Sequence, residues 1–317
     1  MAQGNPYSIS SALKLIRNPE RVNEVYHVVC EDLIRTAENI NKWWYEFRYA
    51  GNSTDYITKD WDSLFILDAC RLEYTEKYCD FEIAKAVSPA TASRSFMNKM
   101  YSDRDMSSIV YLTANPFIER IETNFHDIKK AYMDHWDAEI GTVPPDVMSE
   151  LTLKAHQEYP NKRIITHYMQ PHYPFLQDKN DTFSKCKVEY DNTNESVESG
   201  RIPWDDQMYK REQFHDELLH QYELNHKIIF DIVQETISDI SGKLVITSDH
   251  GNLIGERGFP IPIRLYGHPD EFYHENLIEV PWIEICNGRR NIEQGVSSES
   301  SVENDVSDRL SQLGYKS

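Results

Sequence analysis

Short apolar runs separated by longer amphipathic stretches dominate the chain. Apolar residues recur at helical spacing through residues 1–50, with a break expected at Pro19, and again over about 207–240. Five apolar runs are predicted strands: Ser63–Leu67, Ile109–Thr113, Arg163–Thr166, Lys243–Thr247 and Pro281–Cys286. Because these runs are continuously apolar and alternate with helices, they predict an α/β fold with a mostly parallel central sheet covered by helices on both faces.

Polar stretches divide the chain around this predicted sheet. Residues 178–206 are polar and rich in turn formers, which predicts an excursion or lid rather than a domain boundary. Residues 294–304 are rich in Ser and Glu and predict a linker to a short final helix that ends at Gly314. The predicted organisation is a helical N-terminal extension at 1–55, one α/β domain at 56–290, and a linker with a C-terminal helix at 291–317.

Charge and composition narrow the class of partner. Lys and Arg number 33 and Asp and Glu number 52 among 317 residues, which gives a formal net charge of −19. This balance excludes a nucleic-acid coat and argues against charge-driven binding to an anionic membrane. No run approaches the roughly 20 apolar residues of a transmembrane segment, and the N-terminus lacks a secretory pattern. With five scattered cysteines and no CxxC pair, we expect a cytoplasmic protein. The sequence does not predict its oligomeric state.

Titratable side chains directly follow three of the predicted strands. Asp68 follows the first, His167 the third, and Asp249 with His250 the fourth. Since ligands bind at the carboxyl ends of strands in an open α/β sheet, we expect these side chains to converge. Such a set suits one divalent ion, Zn or Mn, or Mg or Ca with more carboxylate character. A helix-capping Asp or a hydrogen-bonded His is the structural alternative for each residue alone.

Other polar side chains are candidates for chemistry beside such an ion. Residues 88–96 carry several hydroxyls ahead of a helix-like stretch, and a hydroxyl at a helix N-terminus beside a metal becomes a nucleophile. An ordinary N-cap is the alternative. His172 and His268 lie in proline-containing turns, where an imidazole can hold an ester oxygen or protonate a leaving group. Arg71 either neutralises an anionic substrate or forms an ordinary ion pair.

Taken in order, these segments resemble the alkaline phosphatase/sulfatase superfamily, specifically its sulfatase-like branch, with archaeal sulfatase-like proteins especially similar. The most specific part is the TSDHG run after a strand, followed by GHP and VPW. The resemblance covers about residues 60–286, whereas residues 1–55 carry none. The matching segments are Leu64–Arg71, Ser88–Phe96, His167–Phe175, Leu244–Asn252, Tyr266–Pro269 and Glu279–Trp282.

The resemblance implies an alkaline-phosphatase-like fold and assigns roles by position. Asp68, Asp249 and His250 match metal ligands of the family. Ser93 falls where the family's helix-opening nucleophile lies, and Thr91 is the second choice. The implied cofactor is one divalent ion (Mn, Zn, Ca or Mg).

The remaining assignments concern the substrate. His172 and His268 are implied to be catalytic, and Arg71 and His167 are predicted to bind substrate. Family sulfatases carry Cys-x-Pro-x-Arg, or Ser in place of Cys, for conversion to formylglycine, and no such motif fits residues 88–94 here. The prediction is therefore a metal-dependent hydrolase or transferase, with phosphate esters preferred over sulfate esters. Its substrate is a small anionic, glycan-linked or lipid-linked ester; the alternative is an inactive sulfatase-like binding or assembly protein.

Overall fold

A seven-stranded sheet forms the centre of the protein. The structure, a computed structural model, describes residues 22–49, 51, 53–177 and 215–293, with the side chains of the first helix from residue 32 onward. The strands are β1 Ser63–Leu67, β2 Ala84–Val87, β3 Ile109–Thr113, β4 Asp127–Lys130, β5 Arg163–Tyr168, β6 Gly242–Thr247, β7 Leu253–Arg257, β8 Arg264–Gly267 and β9 Glu279–Asn287. The helices are α1 Val22–Tyr49, α2 Leu72–Tyr78, α3 Ser93–Tyr101, α4 Ala131–Asp134, α5 Pro145–Glu158, α6 His215–Ile237 and α7 Glu275–Ile278, with a 3₁₀ helix at Pro116–Arg120.

The sheet order is β2-β9-β6-β1-β5-β3-β4, and β7 pairs with β8 in a separate two-stranded sheet. Strands β6, β1, β5, β3 and β4 are parallel neighbours, whereas β9 runs antiparallel to both β6 and β2. Every residue of β1 and β3 is buried, so both faces are covered at the sheet centre. The predicted α/β fold with a mostly parallel sheet is therefore confirmed.

The register of the central strands brings their carboxyl ends to one edge of the sheet. Ile66 of β1 lies opposite His167 of β5 on one side and Thr247 of β6 on the other. The chain leaves β1 at Asp68 and leaves β6 at Ser248, so residues far apart in sequence emerge side by side.

Several predicted elements differ from the observed ones. Strand β5 continues through Tyr168, so His167 lies within the strand rather than after it. Strands β2 and β4 were not predicted, because their sequences AKAV and DIKK belong to sheet edges and carry lysines instead of an apolar run. The described part of the long helix begins at His215.

The described part of α1 packs against the region of β7 and β8. Tyr45 is buried with Leu253, Leu265 and Phe272, and the Asn41 side chain bonds both the carbonyl and the N–H of Ile261. No helix among the described residues is long and apolar enough to cross a bilayer. The predicted break at Pro19, the excursion at 178–206 and the final helix lie outside the described residues, and the division into an extension, a domain and a tail stays a prediction.

Candidate metal and catalytic site

Four buried side chains meet where β1 and β6 end and α3 begins. Asp68 follows β1, Asp249 and His250 follow β6, and Ser93 is the first residue of α3. The Ser93 hydroxyl donates to Asp68 Oδ2 at 3.0 Å and lies 3.2 Å from His250 Nε2. The convergence predicted from the strand ends is therefore present for these residues.

Asp68 Oδ1, Asp249 Oδ2 and His167 Nε2 are buried at this edge and lack a hydrogen-bond partner among the described residues. The same three residues can each offer one ligand atom to an ion, and these atoms lie within 4.8 Å of one another. His250 Nε2 lies 3.5 Å from each of the two carboxylate oxygens. An unpaired buried polar group destabilises the folded protein by about 1–3 kcal/mol, and by more when it is charged. A cation bound among these acceptor atoms would remove that penalty.

The donor set fits a divalent ion. Ligand atoms bound tetrahedrally at 2.0–2.1 Å, as zinc holds them, are about 3.3 Å apart. The separations of His250 Nε2 from Asp68 Oδ1 and Asp249 Oδ2, both 3.5 Å, are close to that value. Two carboxylates and an imidazole also supply the oxygen and nitrogen ligands that such an ion takes.

The electrostatics agree with a missing positive charge. Burial and the charge of Asp249 raise the pKa of Asp68 to about 7. Burial also opposes ionisation of Asp249, but His250 and His167 hold the pKa of that carboxyl below its usual range. Two neighbouring carboxylates in a buried site repel each other, and a bound cation removes that repulsion.

A tight turn aims the His250 ring at the carboxylates. Its Nδ1–H donates to the Gly251 carbonyl oxygen at 2.7 Å, which leaves the Nε2 lone pair facing Asp68 and Asp249. A Cβ atom on Gly251 would lie 2.0 Å from the carbonyl oxygen of Asn276, so a residue with a side chain does not fit there without a backbone shift. The Gly of the Asp-His-Gly sequence is thus required for steric reasons, and its Asp and His supply the polar atoms of the site.

The two candidate nucleophiles differ in where their hydroxyls lie. Ser93 reaches the cluster, whereas the Thr91 hydroxyl donates to the Pro269 carbonyl oxygen at 2.8 Å. The N-cap of α3 is Ala92, which has no side chain able to cap the helix. The first N–H groups of α3 therefore have no side-chain cap, and such groups bind anions readily.

His172 and His268 form a pair beside the cluster. Their Nε2 atoms are 2.9 Å apart, and the His268 ring lies 4.4 Å from the His250 ring. His172 Nδ1 contacts the Tyr173 carbonyl at 2.5 Å, so its Nδ1–H donates there, and its Nε2 accepts from His268. Burial lowers the pKa of both rings, so each is neutral near pH 7.

Arg71 and His167, the two predicted substrate contacts, have other partners. The Arg71 guanidinium pairs with Glu256, lies 2.9 Å from Glu73 and donates to the Asn252 carbonyl at 3.2 Å, so its charge is already matched. His167 Nε2 lies 3.7 Å from Asp249 Oδ2, within the unpaired group. The structure thus brings His167 to the carboxylates but not Arg71, and the substrate contacts stay predictions.

Sequence reasoning missed two residues of this site. Asn115 donates from Nδ2 to Asp68 Oδ2 at 3.0 Å, and the Tyr111 hydroxyl lies 2.7 Å from His167 Nδ1. Asn115 follows β3 within two residues, so the rule that singled out Asp68 applies to it equally. Tyr111 stands in the middle of an apolar run and gives no such signal.

Comparisons with known proteins find similarity at the level of the fold. The sequence matches no protein-family model and no curated protein. The C-terminal periplasmic domain of EptC from Escherichia coli, in complex with Zn, is 12% identical, with 75% of this chain and 76% of that chain covered at a TM-score of 0.44. The integral membrane lipooligosaccharide phosphoethanolamine transferase EptA from Neisseria meningitidis is 13% identical, with 87% and 58% covered at 0.46. A putative sulfatase from Bacteroides thetaiotaomicron is 12% identical, with 74% and 66% covered at 0.39.

These neighbours are sulfatase-like and phosphoethanolamine transferase domains of the alkaline phosphatase/sulfatase superfamily. These neighbours agree in class with the resemblance carried by the sequence motifs. The special likeness to archaeal members stays a prediction.

The expected cytoplasmic location is wrong by the same comparison. The matched EptC domains from E. coli and Campylobacter jejuni are periplasmic domains. The expectation rested on cysteines without a disulfide pattern, and the described ones, Cys70, Cys79 and Cys286, are indeed free. A chain of this length buries its core without disulfides in any compartment, so free cysteines do not identify the compartment.

Proposed function

We propose that the protein is a metal-dependent phosphoesterase or phosphotransferase with Ser93 as its nucleophile. The observation that carries this proposal is the position of the Ser93 hydroxyl, 3.0 Å from Asp68 Oδ2 and 3.2 Å from His250 Nε2 at the start of α3. A hydroxyl in that place has a carboxylate to accept its proton and a helix N-terminus beside it for an anionic ester.

Asp68, Asp249 and His250 would hold the divalent ion. When bound, the ion supplies positive charge that lowers the pKa of the serine hydroxyl and offsets the negative charge of the ester oxygens. With the chain's own charge at −19, a local cation also removes the general repulsion of an anionic substrate.

The chain's own residues account for the reaction. Asp68 Oδ2 accepts the Ser93 proton along the existing hydrogen bond, and Oγ then attacks phosphorus opposite the leaving oxygen. One Oγ–P bond forms, one P–O bond breaks, and the leaving oxygen takes a proton from water. His172 and His268, both neutral, orient the ester beside His250. Attack on the phosphoserine by water gives a hydrolase, and attack by an acceptor alcohol gives a transferase.

A phosphate ester fits this nucleophile better than a sulfate ester. Residues 88–94 read Ser-Pro-Ala-Thr-Ala-Ser-Arg, which contains no Cys-x-Pro-x-Arg or Ser-x-Pro-x-Arg motif for conversion to formylglycine. Ser93 therefore acts as an unmodified hydroxyl. We propose a small anionic ester, or a glycan-linked or lipid-linked one, as the substrate.

The test combines an ester panel with trapping of the intermediate. Ser93→Ala should lower metal-dependent cleavage of a chromogenic phosphate ester at least about 1,000-fold, since it removes the nucleophile. Ser95→Ala is the matched control, because Ser95 lies two residues further on α3 and bonds the exposed Asp270 instead. Mass spectrometry of acid-quenched wild type should find the phosphoryl group on the peptide that contains Ser93.

Three outcomes would contradict the proposal. Full activity of Ser93→Ala would exclude this hydroxyl, and loss of activity only in Thr91→Val would transfer the role to Thr91. Asp249→Asn should abolish metal binding and cleavage together. Wild-type protein that binds no divalent ion and cleaves no ester of the panel would instead support a binding or assembly protein.

A further inference from the structure

His167 has no role in the ligand set proposed above, although its ring faces the same carboxylates. The side chain is fully buried on β5, and its Nε2 lies 3.7 Å from Asp249 Oδ2. Nε2 has no hydrogen-bond partner among the described residues. His167, Asp68 and Asp249 can each offer one ligand atom, and these three atoms lie within 4.8 Å of one another. A buried imidazole nitrogen that is unpaired and aimed at two unpaired carboxylates needs an explanation.

The other nitrogen of the same ring has a well-placed partner. Tyr111, fully buried on the neighbouring strand β3, has its hydroxyl 2.7 Å from His167 Nδ1. When Nδ1–H donates to this hydroxyl oxygen, Nε2 carries a lone pair toward the carboxylates. In the opposite tautomer, an Nε2–H would point at an oxygen 3.7 Å away, which is too far for a hydrogen bond.

We propose that His167 Nε2 is a further protein ligand of the divalent ion and that Tyr111 is a positioning residue that fixes the required tautomer. The inference rests on the metal site of the proposed function. It follows the general pattern in which a metal-bound histidine donates its second N–H to a fixed acceptor.

The additional imidazole changes which ion the site should prefer. Asp68, Asp249 and His250 alone offer two carboxylates and one nitrogen. A second nitrogen shifts the preference of the set toward Zn and away from Mg and Ca, which favour oxygen ligands. His167 is therefore expected to set metal selectivity as well as affinity.

The test measures metal binding directly, without catalysis. Metal-free protein is titrated with Zn²⁺ against a chromogenic chelator, then with Mg²⁺, and the absorption bands of bound Co²⁺ are recorded. His167→Ala should weaken Zn²⁺ binding by about 100-fold or more, reduce the preference for Zn²⁺ over Mg²⁺ and change the Co²⁺ spectrum. Tyr111→Phe should weaken Zn²⁺ binding by about 10–100-fold and keep the Co²⁺ bands of an intact ligand set.

Tyr168→Phe is the matched control for Tyr111→Phe. Tyr168 is also fully buried in the central sheet, but its hydroxyl bonds Ser149 and not a site residue. This variant should bind Zn²⁺ within about twofold of wild type. If His167→Ala does not fold, His167→Gln serves in its place, because it keeps a polar side chain of similar length without the imidazole.

The outcomes separate this inference from the proposed function. If His167→Ala binds Zn²⁺ like wild type while Asp249→Asn does not, His167 is not a ligand and the inference is overturned. If Tyr111→Phe and Tyr168→Phe bind equally well, the positioning role of Tyr111 is overturned. If wild type itself binds no divalent ion, the proposed function fails first.

Discussion

Two clusters of polar side chains lie beside the turn after β1, one around the buried Arg71 and one around the buried Asp68. In the Arg71 cluster (Arg71, Glu73, His226 and Glu256), the guanidinium pairs with both carboxylates, and the Arg71 N–H donates to His226 Nε2 at 3.2 Å. In the Asp68 cluster (Asp68, His167, Asp249 and His250), one atom each of Asp68, His167 and Asp249 is left unpaired. The first cluster is complete by itself and supports the fold, whereas the second is incomplete without a ligand.

The largest expected change in stability follows from a substitution in the Arg71 cluster. Arg71→Met should lower the free energy of unfolding by about 3 kcal/mol, because it leaves the partly buried Glu256 without its cation. Urea denaturation at neutral pH measures the change.

Lys85→Met is the control for that variant. Lys85 pairs with Glu279 at 2.7 Å, but both side chains are exposed, so the expected loss is at most about 0.5 kcal/mol. Equal losses for the two variants would show that the pairing in the Arg71 cluster contributes nothing beyond that of a surface ion pair.

An intermediate effect should appear on acidification. Burial and the neighbouring Arg71 charge lower the pKa of His226 from 6.5 to about 3, although the Tyr222 carbonyl opposes the shift. Between pH 6.5 and pH 3, His226 binds a proton in the unfolded chain but not in the folded protein. The stability present above pH 6.5 is therefore lost as the pH falls. From pH 7 to pH 5 this loss is about 2 kcal/mol.

His226→Gln should remove that part of the pH dependence. Urea denaturation of both proteins at pH 7 and pH 5 gives the difference between their two losses. An identical loss in wild type and variant would mean that His226 is protonated in the folded protein as easily as in the unfolded chain.

The smallest expected effect concerns the Asp68 cluster, where a substitution should increase the free energy of unfolding instead of lowering it. In the presence of a chelator, Asp68→Asn should raise the free energy of unfolding by about 1 kcal/mol, because it removes the charge of one of two neighbouring buried carboxylates. With Zn²⁺ added, the same variant should be less stable than wild type, since it binds the ion more weakly.

Asp55→Asn provides the comparison for that reversal. The Asp55 carboxylate is paired with Arg104 at 2.7 Å, so its neutralisation should cost up to about 1 kcal/mol with or without metal. If Asp68→Asn also destabilises the chelated protein, the carboxylates of the Asp68 cluster do not repel each other as proposed.

The sequence predicted those parts of the fold whose pattern is set by burial on both faces. The bounds of β1 and β3 agree with the predicted runs to the residue, because all five positions of each strand are buried and apolar or uncharged. Strand β4 was missed because its four residues are only half-buried at the sheet edge and include two lysines. No periodic signal distinguishes such a short edge strand from a loop.

The site was predictable where residues directly follow strands. That rule selected Asp68, His167, Asp249 and His250, which the structure brings together at the candidate site. The choice of Ser93 over Thr91 depended on a family resemblance. Tyr111 could not be predicted, because a tyrosine in the run IVYLT is typical of the core. Only the structure shows its hydroxyl beside His167 Nδ1.

The placement of β1 between β5 and β6 also constrains when the site can exist during synthesis. Asp68 and Asp249 lie about 180 residues apart in the chain, and they meet only after β6 has joined the sheet beside β1. After Asp68 has been synthesised, about 180 more residues must be added to the chain before Asp249 is present. An ion held by both carboxylates, as proposed, would therefore bind only after the sheet has gained β6 and would not nucleate folding of the segments made first.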